Sequence, residues 1–120
     1  MTFTLNKLCN MSFISSTALP YIMNSGNIGN PITKTYIKSI IIYNNNTTLE
    51  TVSMWNVPNQ LNLSGTANSS NKFYSVNLAP NEMESIEFQM PIVLNGINDS
   101  IFVSSNSNGF VTIQSYGANE

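Results

Sequence analysis

Apolar and polar residues alternate along most of this chain in short runs, and Asn, Ser, Gly and Pro separate one run from the next. The clearest run is 33–43 (TKTYIKSIIIY), rich in β-branched and aromatic residues, which have the period and shape of a strand. It ends in 44–47 (NNNT), a tract suited to a tight turn because Asn tolerates left-handed backbone angles. A second run, 49–57 (LETVSMWNV), is stopped by Pro58, and the two predict a hairpin. Residues 60–71 (QLNLSGTANSSN) read as an exposed loop. A strand over 72–78 leads to 79–82 (APNE), which suits a type I turn with Pro80 at its second position. In 85–94 (SIEFQMPIVL) the alternation places Ile86, Phe88 and Met90 inward, and Pro91 predicts a sheet edge or a bend. A turn at 95–99, a strand at 101–104, a hairpin tip at 106–109 and a last strand at 110–116 complete the series. Helical periodicity is absent from every stretch of useful length. The expected fold is all-β, an antiparallel β-sandwich or jelly roll of about seven to eight strands.

Each strand then acquires two faces. Ile40, Ile42, Val52, Met54, Val76, Leu78, Ile86, Phe88, Ile101, Val103, Val111 and Ile113 are expected to fill the core. Ile37, Ile41, Tyr43, Trp55 and Val57 fall on the opposite faces of their strands, so the 33–57 hairpin is apolar on both sides and both sides need cover. The second cover is either the N-terminal segment or another subunit, and these five residues form the expected interface. Residues 1–32 read as an N-terminal arm or an edge strand (over 5–15), with a loop at 24–31 (NSGNIGNP). Residues 33–120 are the sandwich, and the whole of 1–120 is treated as a single domain.

Composition sharpens this picture. Only 8% of residues are charged, far below the roughly 25% of an ordinary domain, and Asn, Ser and Thr supply more than a third of the chain in their place. Amides and hydroxyls can pair with another polar surface without the cost of desolvating a charge, and a surface poor in charge is weakly protected against association. That points to a protein that works within an assembly. A formal net charge of −2 and the absence of Arg give no electrostatic footprint for nucleic acid. The first fourteen residues lack the continuous apolar block and basic start of a signal peptide, and no stretch approaches the length of a membrane helix.

The order of motifs from 33 onward resembles a family of small bacteriophage virion proteins. Its parts are I-K-S-I-x-I-x-N (Ile37 to Asn44), V-S-M-W-N-V-P (Val52 to Pro58), L-A-P-N-E (Leu78 to Glu82) and P-I-V-L-N-G-I-N-D-S-I (Pro91 to Ile101). The resemblance spans about two-thirds of the chain and leaves 1–32 unmatched. Two departures stand out: Asn81 occupies the position after the turn proline where the family often has Gly, and Asn98-Asp99-Ser100-Ile101 replaces a Gly-Asp step. What the resemblance implies is a β-sandwich that decorates a capsid or belongs to a tail or fibre, with other virion proteins as partners and a symmetric homo-oligomer, a trimer, as its state.

Chemistry has little to work with. Without His there is no imidazole base or metal ligand, and the single Cys9 allows neither an intrachain disulfide nor a thiolate cluster. Glu82, Glu84 and Glu87 are the one carboxylate cluster, at a turn and the start of a strand where solvated charge is the default. Asn95, Asn98 and Asp99 carry too little charge for a Ca²⁺ loop and read as a turn. The expected function is therefore non-enzymatic, with no catalytic residue, metal or cofactor. It is that of a virion structural protein, a capsid decoration or tail-accessory subunit, located in the virion and without membrane or nucleic-acid contact. The alternative is a glycan- or receptor-binding module of a tail or fibre that stacks Trp55 or Tyr43 on a sugar.

Overall fold

The computed structural model describes residues 6–24, 34–61 and 63–119. They form eight strands and no helix: β1 (Asn6–Phe13), β2 (Leu19–Met23), β3 (Thr35–Asn44), β4 (Glu50–Val57), β5 (Lys72–Leu78), β6 (Met83–Leu94), β7 (Ser100–Ser105) and β8 (Val111–Asn119). Two antiparallel four-stranded sheets result, the first in the order β1-β8-β3-β6 and the second in the order β2-β7-β4-β5. Only β4 and β5 follow one another within a sheet; every other step crosses between sheets. This is the jelly roll, one of the two all-β architectures the alternation predicts. No helix among the described residues could cross a membrane. Most of the loop expected at 24–31, together with residues 1–5 and Thr33, lies outside the described residues.

The core lies between the sheets. Ile40, Ile42, Val52, Met54, Leu78, Ile101, Val103, Val111 and Ile113 are buried in one cluster, with Val76, Ile86 and Phe88 packed against it. Ile14, Ile22, Ile37 and Leu94 join them. Met90, expected inward, is 84% exposed instead. Between Ile37–Ile92 and Ser39–Glu87 the register of β3 and β6 slips, with Lys38 on one strand facing the four residues 88–91 on the other. Pro91 cannot donate to a ladder, so β6, an edge strand, bows out there and carries Met90 away from the core.

The expected 33–57 hairpin does not form: β3 belongs to the first sheet and β4 to the second, so the chain arches over the rim between them. Buried polar side chains hold this arch. Asn44, wholly buried, donates its amide to the carbonyls of Thr48 and Leu78, both at 3.0 Å, and of Ala79 at 3.2 Å, while its Oδ1 accepts from Asn46 N at 2.8 Å. Glu50, also buried, accepts from Asn46 Nδ2 and from Ser107 N, each at 3.1 Å. Folding back within one sheet would leave these groups without their partners, and a buried unpaired polar group costs about 1–3 kcal/mol. The hairpin expected at 106–109 is likewise an arch, because β7 and β8 lie in different sheets.

The turn at 79–82 closes with Glu82 N donating to Ala79 O at 3.1 Å, but Asn81 sits at φ 61°, which belongs to a type II turn rather than the expected type I. Asn98 repeats this at φ 65° in the turn closed by Asp99 N and Gly96 O. These are the two Asn residues at positions the phage resemblance associates with Gly, and the left-handed backbone explains how Asn can serve in both. At the rims, side chains join the sheets: Tyr21 Oη accepts from Ser15 N at 2.7 Å, and Tyr74 of β5 hydrogen-bonds Glu84 of β6. Burial, then the charge and hydrogen bond of Glu84, raise the Tyr74 phenol above its ordinary pKa.

Candidate functional site

Cross-strand register fixes what each sheet presents outward. On the first sheet one outer row runs Phe13–Thr112–Tyr43–Met83, the next centres on Ile41 between Gln114 and Ser85, and a third runs Lys7–Tyr116–Ser39–Glu87. Beyond the bulge, Ala118, Tyr36 and Val93 stand side by side. Phe13 is 58% and Met83 59% exposed, and Ile41, Tyr43 and Tyr36 are half-buried. Next to them a cleft of about 520 Å³ opens between Tyr36, Met90, Pro91, Val93 and Ala118, together with Lys38. The Lys38 ammonium donates to Phe88 O at 3.2 Å, tying the bowed segment of β6 back to β3. Two open apolar areas thus lie on this face, one around Phe13, Ile41, Tyr43 and Met83 and one around Tyr36, Met90 and Val93, with the row of Lys7, Ser39 and Glu87 between them.

The outer face of the second sheet is different. Thr51 Oγ1 donates to Asn77 Oδ1 at 2.7 Å and the Ser53 and Ser75 hydroxyls meet at 3.4 Å, so one half is a polar lattice satisfied within the sheet. The apolar half is partly covered by the molecule itself, although Phe73 stays 39% exposed. Phe102, opposite Trp55, is only 8% exposed, and the Lys72 ammonium lies 5.7 Å from the Trp55 ring centroid. Val57 is fully buried but stands outside the core cluster; it lies under the β4–β5 loop, where a Cβ on Gly65 would come within 2.9 Å of its Cγ1.

The five residues expected to form one interface therefore do not share a face. Ile37 is in the core, because the bulge at Lys38 shifts the alternation and turns Ile37 and Ile40 to the same side. Val57 points outward but is roofed by its own loop. Trp55 is on the outside of the second sheet, whereas Ile41 and Tyr43 are on the outside of the first. The arch between β3 and β4 separates them by the full thickness of the sandwich. Phe13 and Met83 stand in the row of Tyr43 beside Ile41, and Met90 and Val93 stand with Tyr36 beyond the Ser39 row. Phe13 fell in a segment without a firm strand assignment, Met83 next to a turn, and Met90 on the wrong side of an unseen bulge.

The chemical candidates are engaged in structure. Glu82 Oε1 accepts from Ala79 N at 2.8 Å and so braces its own turn. Glu84 stands in the inward phase of β6 with Ile86, while Glu87 faces out beside Ser39, so the carboxylates diverge. Asp99 accepts from Asn59 N, Asn59 Nδ2 and Gly96 N at 2.8–2.9 Å, binding the β4–β5 loop to the β6–β7 turn. Among the described residues no group of three His, Cys, Asp or Glu could hold a metal. The Cys9 thiol is buried in the core cluster, and burial raises its pKa despite a hydrogen bond from Ser12, which keeps it a poor nucleophile.

Among solved structures the chain is similar to the coat protein of Tobacco streak virus. It aligns with one structure, of the coat protein dimer, at a TM-score of 0.52 and 11% identity, covering 97% of this chain and 85% of the other. A second crystal form of that protein gives 0.50 and 13%, covering 96% and 85%. The two share a fold. A subunit of the disulfide-linked endospore appendages of Bacillus aligns at 0.43 with 14% identity over 98% of this chain and 88% of its own, too loose a likeness to argue from. No protein-family profile matches the chain, and no curated protein does.

Proposed function

We propose that this protein is a non-enzymatic structural subunit of a virus particle and that it works by surface contact with neighbouring proteins. The observation that carries this reading is the group of open apolar side chains on the outer face of the first sheet, Phe13, Met83, Met90 and Val93 around Ile41, Tyr43 and Tyr36. A chain with 8% charged residues has few ions to keep such a face in water, and burial at about 25 cal/mol per Å² favours its contact with another protein. The shared fold adds that this architecture serves in a coat protein. The motif order from Ile37 to Ile101 points to a bacteriophage as the source of the particle, with the subunit on the capsid as decoration or in the tail. The glycan-binding alternative relies on Trp55, whose ring is already engaged by Lys72, or on Tyr43, which lies on the other sheet and donates its hydroxyl to Asn81 Oδ1 at 3.2 Å.

Particle incorporation tests the reading. Tyr43→Asp places a charge on an inner strand of the open face, between Thr112 and Met83, and is expected to reduce incorporation at least about tenfold, since a buried unpaired charge costs several kcal/mol. Trp55→Asp, on the outside of the other sheet, is expected to lower stability but to leave incorporation of the folded fraction unchanged. Equal losses for the two variants, or none for Tyr43→Asp, would refute the assignment.

A further inference from the structure

The row Lys7–Tyr116–Ser39–Glu87 crosses the whole outer face of the first sheet, with a cation on edge strand β1, an anion on edge strand β6 and neutral residues between. Both end residues are exposed, and among the described residues neither takes part in an ion pair. Two rows along, beyond Ile41, the same design recurs in apolar form, with Phe13 at the β1 edge and Met83 at the β6 edge. A two-fold axis parallel to the strands, lying between two such faces, sets β1 of one copy over β6 of the other. One operation then brings Lys7 of each copy opposite Glu87 of the other, Phe13 opposite Met83, and Tyr43 opposite Thr112. A surface that is complementary to itself under a two-fold is what a closed isologous dimer requires.

We propose that the first sheet's outer face packs on the same face of a second copy, with its register set by two symmetry-related Lys7–Glu87 pairs. This deepens the reading of the chain as an assembling subunit and rests on it. A two-fold pairing departs from the trimer that the phage resemblance implies. Four strands about 4.8 Å apart and roughly 26 Å long present on the order of 500 Å² per copy, or about 1,000 Å² in all, the lower bound for a specific interface. The association is therefore modest, in the micromolar range, and its specificity comes from the charges. Of the other cations near this face, Lys38 donates to the Phe88 carbonyl within its own chain, and Lys34 stands just ahead of β3, beyond the Tyr36 row. Stacked sheets rotate by about 30° against each other, a displacement that the long Lys and Glu side chains absorb at the edges.

The test is a charge exchange read by sedimentation equilibrium, with circular dichroism to check the fold. Lys7→Glu and Glu87→Lys, each alone, set like charges opposite one another twice per dimer, and each is expected to weaken self-association at least about tenfold. An equimolar mixture of the two variants restores both pairs in a heterodimer, expected to return to within about threefold of the wild-type affinity. Lys72→Glu makes the same change of net charge on the other outer face and leaves association unaltered. A wild-type protein monomeric to about 1 mM, a mixture no better associated than its components, or an equal loss with Lys72→Glu would overturn the pairing. A monomer that still enters particles stoichiometrically sinks the two-fold and spares the subunit reading; a charge-exchanging dimer that enters no particle does the reverse.

Discussion

Replacing Asn44 by Ala is expected to cost about 3 kcal/mol of folding stability, a large share of the 5–15 kcal/mol that holds a domain of this size together. Asn44 ends β3 on the core side, in phase with Ile40 and Ile42, and its amide meets the carbonyls of Thr48, Leu78 and Ala79. Its backbone adds two contacts to the β5–β6 turn, N donating to Glu82 O at 3.0 Å and O accepting from Asn81 N at 2.9 Å. One residue thus fastens the β3–β4 arch to the turn that crosses beside it. Truncation removes that donor from the buried Leu78 carbonyl and from the part-buried carbonyls of Thr48 and Ala79, of which Ala79 keeps its bond from Glu82 N. Asn44→Asp separates hydrogen bonding from volume: the shape is kept, but the donor becomes a charged acceptor facing carbonyl oxygens, so its loss should equal or exceed that of the Ala variant. Urea unfolding monitored by circular dichroism measures both. A loss below about 1 kcal/mol for either variant would show that the arch is held by something else.

Gly117→Ala is expected to have an effect of similar size for a steric reason. A Cβ on this residue would come 1.8 Å from Tyr36 O and 2.7 Å from Leu8 Cδ1. The first is a backbone atom of the neighbouring strand, so relief requires β8 and β3 to separate where they pair Gly117 with Ile37. Forcing a packed sheet apart costs about 2–4 kcal/mol, and the amides around 116–118 should exchange faster than those around 112–114. Gly109→Ala is the comparison. Its φ of 79° disfavours a side chain, but nothing lies within 4 Å of the added carbon, so only the backbone cost of about 1–2 kcal/mol is expected. If the two substitutions cost the same, close packing at Gly117 is not the cause.

The fold class was legible because alternation is local. The predicted core residues from Ile40 to Ile113 all lie in or against the core, since period-two burial is written into each strand separately. Pairing was not legible in the same way: alternation says which side of a strand faces in, but not which strand lies beside it. The 33–57 segment could close as a hairpin or an arch with the same turn residues. A signal was present, since Asn44 and Glu50 both fall in the inward phase at the two ends of the connection, and buried polar groups there demand a corner with partners rather than an exposed turn. Asn-rich composition hid it, because twenty-fourth and forty-fourth residues alike read as loop polarity while Asn24 and Asn44 are in fact buried. Asn24 donates its amide to Leu94 O at 3.0 Å at a second corner.

The candidate interface was half legible for a related reason. That some strand faces are greasy on both sides follows from composition, and Ile41 and Tyr43 do lie outside the first sheet. The bulge at Lys38 and the bow at 88–91 shift the phase within a strand, and a strict alternation carried through them misplaces Ile37 and Met90. Consecutive polar residues at Lys38 and Ser39, and Pro91 after Met90, are the local marks of those interruptions. Whether an outward apolar residue stays open depends on distant segments, such as the Gly65 loop over Val57, and no pattern within a single strand reports that.

Oxidative footprinting of the protein, free in solution and within purified particles, addresses the central claim most directly. Met83 and Met90 mark the two ends of the open face, and thioether oxidation follows solvent access. Both should oxidise readily in the free protein and become strongly protected in the particle, while Lys72 and Trp55 on the opposite face change little. Methionines at those two positions that oxidise in the particle as fast as in solution would contradict the account.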